Sequence, residues 1–210
     1  MVDVSDKIKV SIFLNILLVI FEIIGLIKSF NFNGLNIFLY YTECSNILAL
    51  IASSVYLYYI FSNKRKLLSL SSALKYISGI GLIITFLVVL FVLVPLDGIS
   101  TLSFYFIKGA MLYHHLLCPI IAFISLLYFD KIKLNKRHIS YAIIYTLTYG
   151  IVLVILNILK IFDGPYPFLR VYEQSIYMSI TWFVVITGIS YALSYIIYKK
   201  VIYKNNYKLN

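Results

Sequence analysis

Charged residues are scarce in this sequence. Only 12% of its 210 residues are Asp, Glu, Lys or Arg, whereas 62% are hydrophobic. Soluble globular domains carry about 25% charged residues. A soluble protein of this length could not bury so much apolar surface, so the composition excludes a soluble domain and predicts an integral membrane protein.

Acidic residues are the scarcer of the two charge types. Eight Asp and Glu stand against eighteen Lys and Arg, which gives a net charge of +10. In a soluble chain this balance would suggest a nucleic-acid partner. Here the basic residues lie in short segments between apolar runs, an arrangement typical of membrane topology signals. We therefore expect no nucleic-acid binding.

Cysteines are few and nucleotide-binding motifs are missing. Cys44 and Cys118 both fall within apolar runs, where thiols more often fill apolar space than form a disulfide or a reactive pair. There is no glycine-rich phosphate loop and no dinucleotide fingerprint. Adjacent His114 and His115 cannot easily point at one ion and lack the i, i+4 spacing of helical metal sites. We expect neither a cofactor nor a metal.

Six apolar runs are long enough to cross a hydrocarbon core of roughly 30 Å. The first contains Glu22 and lacks a small-residue cleavage site, so we interpret it as a retained helix and not as a signal peptide. An open sheet edge cannot lie in lipid, so we predict an all-α fold, one domain of residues 1–210 forming a bundle of six transmembrane helices. The spans lie at about 10–27, 37–61, 76–95, 108–129, 139–160 and 176–198.

The distribution of Lys and Arg predicts the orientation of the bundle. The N-terminus, the 62–75 loop, the 130–138 loop and the C-terminal tail together carry 14 of them, and the three alternate loops carry 4. Under the positive-inside rule, this asymmetry places both termini in the cytoplasm. We therefore expect a multi-pass protein of the cell membrane.

Polar residues interrupt the predicted spans in the outer half of the membrane. Glu22, Thr42, His115 and Asn157 lie at similar predicted depth, on four different spans. The inner halves are nearly pure Leu, Ile, Val, Phe and Tyr. Because polar groups in lipid are costly, we expect the four residues to face one another or a wet cavity.

Helical spacing places several polar residues on common faces. Thr42, Ser45 and Asn46 follow i, i+3, i+4 spacing on span 2. On span 4, Pro119 has no N–H for the carbonyl of His115, so the helix should kink there. A neutral imidazole level with the threonine hydroxyl could take its proton, and Asn46 could help to hold an oxyanion.

Structural roles compete with these catalytic ones. Thr42 could bond back to the carbonyl of residue 38, as helical threonines do. Ser45 and Asn46 could hold helices together by hydrogen bonds. His115 could be a core histidine bonded to an acidic or amide side chain, Glu22 or Asn157. The sequence leaves these alternatives open.

Three further ionisable residues belong to the same region. Glu22 could orient the histidine or be only its structural partner. Glu43 is expected to be solvated at the outer mouth of the bundle. His114 lies about 100° around the helix from His115 and is expected to face elsewhere, toward the same water-filled mouth. This polar mouth is the expected route for water.

Three motifs, YYTECSN, YHHLLCP and PYPFLRVYE, resemble landmarks of the six-helix androgen-induced family. That family includes the androgen-dependent regulator of tissue factor pathway inhibitor and a bacterial branch of six-span proteins. The resemblance matches Thr42 to the family's threonine and His115 to its histidine. It matches residues 166–169 to the family's Tyr-Pro-Phe-Leu motif in the last outer loop. The animal members are threonine hydrolases of fatty acid esters of hydroxy fatty acids.

The resemblance implies a hydrolase of lipid esters, with Thr42 as nucleophile and His115 as base. We expect the hydroxyl oxygen within roughly 3–5 Å of an imidazole nitrogen, and a lipid or fatty acyl ester substrate from the outer leaflet. Two alternatives remain, a transporter and a non-enzymatic membrane component whose polar cluster only packs helices. The residues expected around the substrate are Glu22, Ser45, Asn46, Asn157, Tyr166 and Phe168.

Overall fold

The structure, a computed structural model, describes residues 4–206, with side chains described for residues 5–203. Within that part of the chain all regular structure is helical and no strand occurs. Six of the helices in that part of the chain contain a segment long and apolar enough to cross a membrane, as predicted. In chain order the helices are α1 (Val4–Asn33), α2 (Tyr41–Ser62), α3 (Leu67–Asp97), the short α4 (Leu102–Ile107), α5 (Leu112–Phe129), α6 (Arg137–Ile158) and α7 (Ile176–Asn206).

The predicted spans are shorter than the helices at several ends; the sixth, for example, was expected to end at about residue 198, but α7 ends at Asn206. The first span was expected from about residue 10 and the third from about residue 76, but α1 begins at Val4 and α3 at Leu67. Hydropathy marks where apolar residues dominate. The preceding helical turns carry serine and lysine side chains, which cost a helix little.

Two proline-related irregularities shape the long helices. Leu112–Leu117 forms a π-helical segment just before Pro119, and the N–H of Cys118 bonds to the carbonyl five residues earlier. Regular α-helical bonding is therefore interrupted on span 4, and the expected kink of the helix axis stays a prediction. Val89–Leu93 is a similar π segment just before Pro95. In both places the proline lacks the N–H that would continue regular α-helical bonding.

The bundle has two ends, which we name by their residues. The basic end contains the connection of residues 63–66 and the connection of residues 130–136. The Tyr166 end contains the connections of residues 34–40, 98–111 and 159–175. Buried apolar side chains fill the space between the ends, among them Tyr76, Ile80 and Leu126.

A buried polar network lies near the basic end. The Lys75 ammonium is 3.1 Å from Asp130 Oδ2 and donates to Asn15 Oδ1 at 2.8 Å. Asn15, Ser11 and Ser125 donate to Asp130 Oδ1 at 2.9, 2.7 and 2.7 Å. The network joins α1, α3 and the end of α5.

The expectation of nearly pure apolar residues in this half of the spans is therefore wrong. Lys75 and Asp130 fall at the edges of predicted loops, so their sequence positions suggested exposure, but they are 3% and 2% exposed. Asn15 and Ser11 lie four residues apart on the buried face of α1. Each polar side chain is tolerated because another one satisfies it.

Candidate functional site

Thr42 lies in the first turn of α2, at the Tyr166 end of the bundle. Its hydroxyl is 3.4 Å from the phenol oxygen of Tyr166, and its backbone N–H donates to the same oxygen at 3.4 Å. A first-turn N–H has no partner within its own helix, so the loop tyrosine supplies one. The hydroxyl of Thr42 pairs with Tyr166 and not with the carbonyl of Phe38, which accepts from the Cys44 thiol.

Tyr166 is held in place by aromatic packing. Its ring stacks on Phe168 with centroids 5.2 Å apart, and Phe168 in turn packs against Trp182 of α7 at 5.4 Å. Tyr166 is buried, and burial raises the pKa of its phenol to about 12, although the Thr42 hydrogen bonds oppose the rise. The phenol therefore stays neutral and can donate a hydrogen bond at physiological pH.

An apolar cavity of about 350 Å³ adjoins the Thr42–Tyr166 pair. Side chains of α2, α3, α6, α7 and the 159–175 connection line it, Phe168 among them. Four of the lining residues are also about half exposed on the outside of α6 and α7, so the cavity wall continues to the lateral surface between these helices. They are Ile151, Ile155, Ile180 and Phe183.

His115 lies in the π segment of α5 and is 5% exposed. Its Nδ1 is 2.8 Å from the carbonyl oxygen of Tyr105, so Nδ1 carries the hydrogen and donates it. This tautomer leaves Nε2 as a proton acceptor. The phenol of Tyr105 donates to Asp97. Burial, and then Asp97, raise the pKa of Tyr105 to about 12, so this phenol also stays neutral.

Thr42 and His115 have separate hydrogen-bond partners. The hydroxyl of Thr42 pairs with Tyr166, and the imidazole of His115 pairs with the Tyr105 carbonyl. Thr42 lines the cavity, whereas His115 is not one of the lining residues. Their expected approach to within roughly 3–5 Å stays a prediction.

The histidine with acidic partners is His114. Its Nδ1 is 3.0 Å from Glu43 Oε2, and its Nε2 is 3.8 Å from Glu22 Oε2. Ser29 donates to Glu43 Oε1 at 2.8 Å. The rotation of about 100° between adjacent residues turns His114 toward α1 and α2, while His115 faces α4.

The expectation that Glu43 and His114 lie at a solvated mouth is therefore wrong. Glu43 is 5% exposed, and His114 and Glu22 are 0% exposed. Gly25 makes this packing possible, because a Cβ at that position would lie 2.3 Å from His114 Nε2. The alternative that His115 bonds to Glu22 or Asn157 is also wrong.

The amide and hydroxyl residues of α2 have different neighbours. Asn46 donates to the Thr42 carbonyl at 2.7 Å and reaches the His114 carbonyl at 3.5 Å, so it links α2 to α5. Ser45 pairs with the Tyr145 phenol at 3.2 Å and lies against Gly81 of α3. These contacts fit the structural role that was the alternative for both residues.

Asn157 fixes the 159–175 connection. Its Oδ1 accepts from the N–H of Val171 at 2.8 Å, and its Nδ2 donates to the carbonyl of Phe162 at 3.3 Å. Asn157 does not contact Thr42 or His115 through a hydrogen bond, and it positions the loop that carries Tyr166. Sequence reasoning gave no role to Tyr105, because a backbone carbonyl partner leaves no mark in the sequence.

Among residues 4–206, no group of three or more His, Cys, Asp or Glu is arranged to hold a metal ion. Comparison of the chain with protein-family models, with curated proteins and with solved structures finds no match. The resemblance to the six-helix androgen-induced family therefore stays a hypothesis that rests on its three motifs.

Proposed function

We propose that this protein is an intramembrane hydrolase of lipid esters, with Thr42 as nucleophile and His115 as general base. One observation carries the proposal. A hydroxyl that is paired with a neutral phenol stands in the wall of an apolar cavity of about 350 Å³. Ligand cavities of about 300–1,000 Å³ with apolar walls and a few polar groups are typical of small-molecule sites.

The cavity suits an acyl chain with its carbonyl at the polar pair. Apolar side chains of α3, α6 and α7 would contact the hydrocarbon, and Thr42 and Tyr166 would face the ester group. The phenol of Tyr166 would donate a hydrogen bond to the carbonyl oxygen as negative charge develops there. Its raised pKa keeps that proton available.

The chemistry needs one acceptor for the threonine proton. Thr42 Oγ1 would form a bond to the carbonyl carbon, and its proton would pass to His115 Nε2, the nitrogen not engaged by Tyr105. The ester C–O bond then breaks, and the alcohol leaves with that proton. Water subsequently cleaves the acyl–threonine bond, and the fatty acid departs.

Separate partners for Thr42 and His115 require a movement when substrate binds. Catalytic hydrogen bonds are often long in a free enzyme and tighten only with substrate. His115 lies in a π segment, and such segments are frequent at functional sites. The motif resemblance independently names the same two residues.

The substrate would reach the cavity from the bilayer between α6 and α7. Half-exposed cavity residues such as Ile155 and Phe183 form both the wall and the lateral surface there. If the basic end faces the cytoplasm, the Tyr166 end lies in the outer half of the membrane, and the ester comes from the outer leaflet.

A second candidate is a lipid-binding or lipid-transporting membrane component without hydrolytic activity. The observation that favours it is the absence of a hydrogen bond between Thr42 and His115, each of which has another partner. In that case the cavity holds an acyl chain, and the polar residues only join helices.

Turnover by the purified protein distinguishes the two candidates. The protein in detergent is given branched fatty acid esters, aryl esters and lysolipids. We expect the wild-type protein to hydrolyse an ester. Thr42→Ala and His115→Ala should each abolish this activity, and Thr42→Ser should retain part of it. Thr181→Ala, at an exposed threonine of α7, is the matched control and should behave like wild type. Turnover that survives both alanine substitutions at the site would remove this mechanism.

A further inference from the structure

Three ionisable side chains form a buried cluster that the proposed hydrolysis does not use. Glu22 of α1, Glu43 of α2 and His114 of α5 meet near the Tyr166 end, outside the cavity lining. Each is 5% exposed or less. His114 lies between the carboxylates, 3.0 Å from Glu43 Oε2 and 3.8 Å from Glu22 Oε2.

The two carboxyl groups have unequal surroundings. Glu43 Oε1 accepts from the Ser29 hydroxyl at 2.8 Å and lies 3.2 Å from His114 Nδ1. Neither oxygen of Glu22 has a hydrogen-bond partner within residues 5–203, apart from the weak donor thiol of Cys118 that faces it. The surroundings of Glu43 therefore stabilise an anion, and those of Glu22 do not.

No lysine or arginine among the described side chains forms an ion pair with either carboxyl group. Lys75 acts on Glu22 from a distance, but its own ion-pair partner is Asp130. The titratable groups that face the cluster come from α2, α3, α5 and the 159–175 connection. They are Cys44, Lys75, His115, Cys118 and Tyr166.

Charge counting then limits the protonation states. Two ionised carboxylates beside a neutral imidazole would bury two negative charges, and beside an imidazolium they would still bury one. Uncompensated buried charge is so unfavourable that a group takes up or releases a proton instead. The cluster is neutral when one carboxyl group is protonated and the other is paired with imidazolium, and also when both are protonated beside a neutral imidazole. In either state at least one carboxyl group holds a proton.

We propose that Glu22, His114 and Glu43 form a buried proton-binding site that joins α1, α2 and α5. At neutral pH Glu22 is a neutral carboxylic acid, and it lies beside the hydrogen-bonded pair of His114 and Glu43. The ligand is a proton and not a metal ion. Gly25 lies so close to His114 Nε2 that a Cβ there would be 2.3 Å away, which leaves little space beside that nitrogen.

The site makes the contact between these helices sensitive to pH. Removal of the Glu22 proton leaves one uncompensated negative charge where three helices meet. Alkaline conditions should therefore loosen α1 from α2 and α5, while neutral and mildly acidic conditions should keep them together.

Infrared spectroscopy tests the proposal because a carboxylic acid has a carbonyl band distinct from that of a carboxylate. We expect this band in the purified protein at neutral pH, its loss in Glu22→Gln, and its persistence in the matched control Glu173→Gln, whose side chain is 61% exposed. A band of unchanged intensity in Glu22→Gln, or a tightly bound metal in stoichiometric amount, would overturn the proposal.

A second measurement needs no variant. Glutamate labelled with ¹³C at the carboxyl carbon shifts the band of a protonated glutamic acid to lower frequency. We expect a shifted band in the labelled wild-type protein at neutral pH that fades as the pH rises. If no glutamic acid band is present at neutral pH, the proton-binding site does not exist.

Discussion

The hydroxyl of Thr42 lies 3.4 Å from the phenol oxygen of Tyr166, which joins the first turn of α2 to the 159–175 connection. Neither residue has a charged partner, and both line the same apolar cavity. The pair therefore places two hydroxyl groups next to each other in the otherwise apolar wall of the cavity. In the proposed hydrolysis, one attacks the ester and the other donates to its carbonyl oxygen.

Removal of the phenol hydroxyl should slow catalysis without unfolding the protein. We expect Tyr166→Phe to lower kcat by about 10²-fold with little change in KM, because its donor acts mainly in the transition state. Loss of one neutral hydrogen bond should lower the free energy of unfolding by about 1 kcal/mol. Steady-state kinetics and denaturation in detergent measure both effects.

Tyr172→Phe is the control for this substitution. The Tyr172 phenol is exposed and donates to the Ile158 carbonyl at 2.9 Å, so its removal should leave kcat unchanged. Equal losses of kcat in the two variants would indicate a general effect on the loop and would contradict the oxyanion role of Tyr166.

A bulky side chain in the cavity should discriminate against long acyl chains. Gly150 of α6 lines the cavity, and a Cβ there meets no atom within 4 Å, so Gly150→Phe can project into the empty space. We expect kcat/KM for long-chain esters to fall about tenfold or more, and that for acetyl esters to change little.

Gly188→Phe provides a matched control on α7. Gly188 is exposed, does not line the cavity and likewise has no atom within 4 Å of a Cβ. The Gly188→Phe variant should hydrolyse long-chain and short-chain esters at the wild-type rates. Equal effects of the two substitutions, or an equal loss for both ester lengths in Gly150→Phe, would exclude this cavity as the acyl site.

The long helices could be predicted from the sequence because each contains an apolar run that matches the bilayer thickness. The same reasoning failed at Lys75 and Asp130. A charged residue at the edge of an apolar run has the same sequence signature whether it reaches water or turns inward to a partner on another helix. Here Lys75 and Asp130 pair with each other and with Asn15, and all three come from segments far apart in the sequence.

The candidate site was only partly predictable for a related reason. Spacing on α2 identified Thr42, and the loop motif identified Tyr166, but the contact between them depends on how the loop folds back. Spacing on α5 could not show which adjacent histidine faces the acidic residues, since that depends on the rotation of the helix against its neighbours. The close approach at Gly25 sets that rotation toward His114.

The Lys75–Asp130 pair should contribute strongly to stability only while both partners are present. Lys75→Met leaves the Asp130 carboxylate buried without its lysine, and we expect the free energy of unfolding to fall by about 3–5 kcal/mol. The double variant Lys75→Met/Asp130→Leu should recover part of this loss, because no charge is then buried. Denaturation in detergent measures the free energy in each variant.

The exposed Lys9–Asp6 pair offers a control for the buried one. Its side chains are 75% and 56% exposed, and the atoms are 3.3 Å apart. Lys9→Ala should change the free energy of unfolding by no more than about 1 kcal/mol. A Lys75→Met variant as stable as Lys9→Ala would contradict the assignment of a structural role to the buried network.

The predicted orientation can be tested with single cysteines. Lys66→Cys lies in an exposed turn at the basic end, and Glu173→Cys lies exposed in the 159–175 connection. In a chain whose Cys44 and Cys118 are replaced by alanine, we expect an impermeant maleimide to label Glu173→Cys in intact cells. Lys66→Cys should be labelled only after the cells are opened, and labelling of both from outside would contradict the predicted topology.

Covalent capture of Thr42 tests the central claim most directly. The purified protein is treated with a lipophilic fluorophosphonate, which reacts with activated hydroxyl groups, and the modified residue is located by mass spectrometry. We predict one modification, on Thr42, that a long-chain ester slows by competition and that His115→Ala abolishes although Thr42 is still present. Absence of label on Thr42 in a protein that hydrolyses lipid esters, or equal labelling of wild type and Thr42→Ala, would contradict the account.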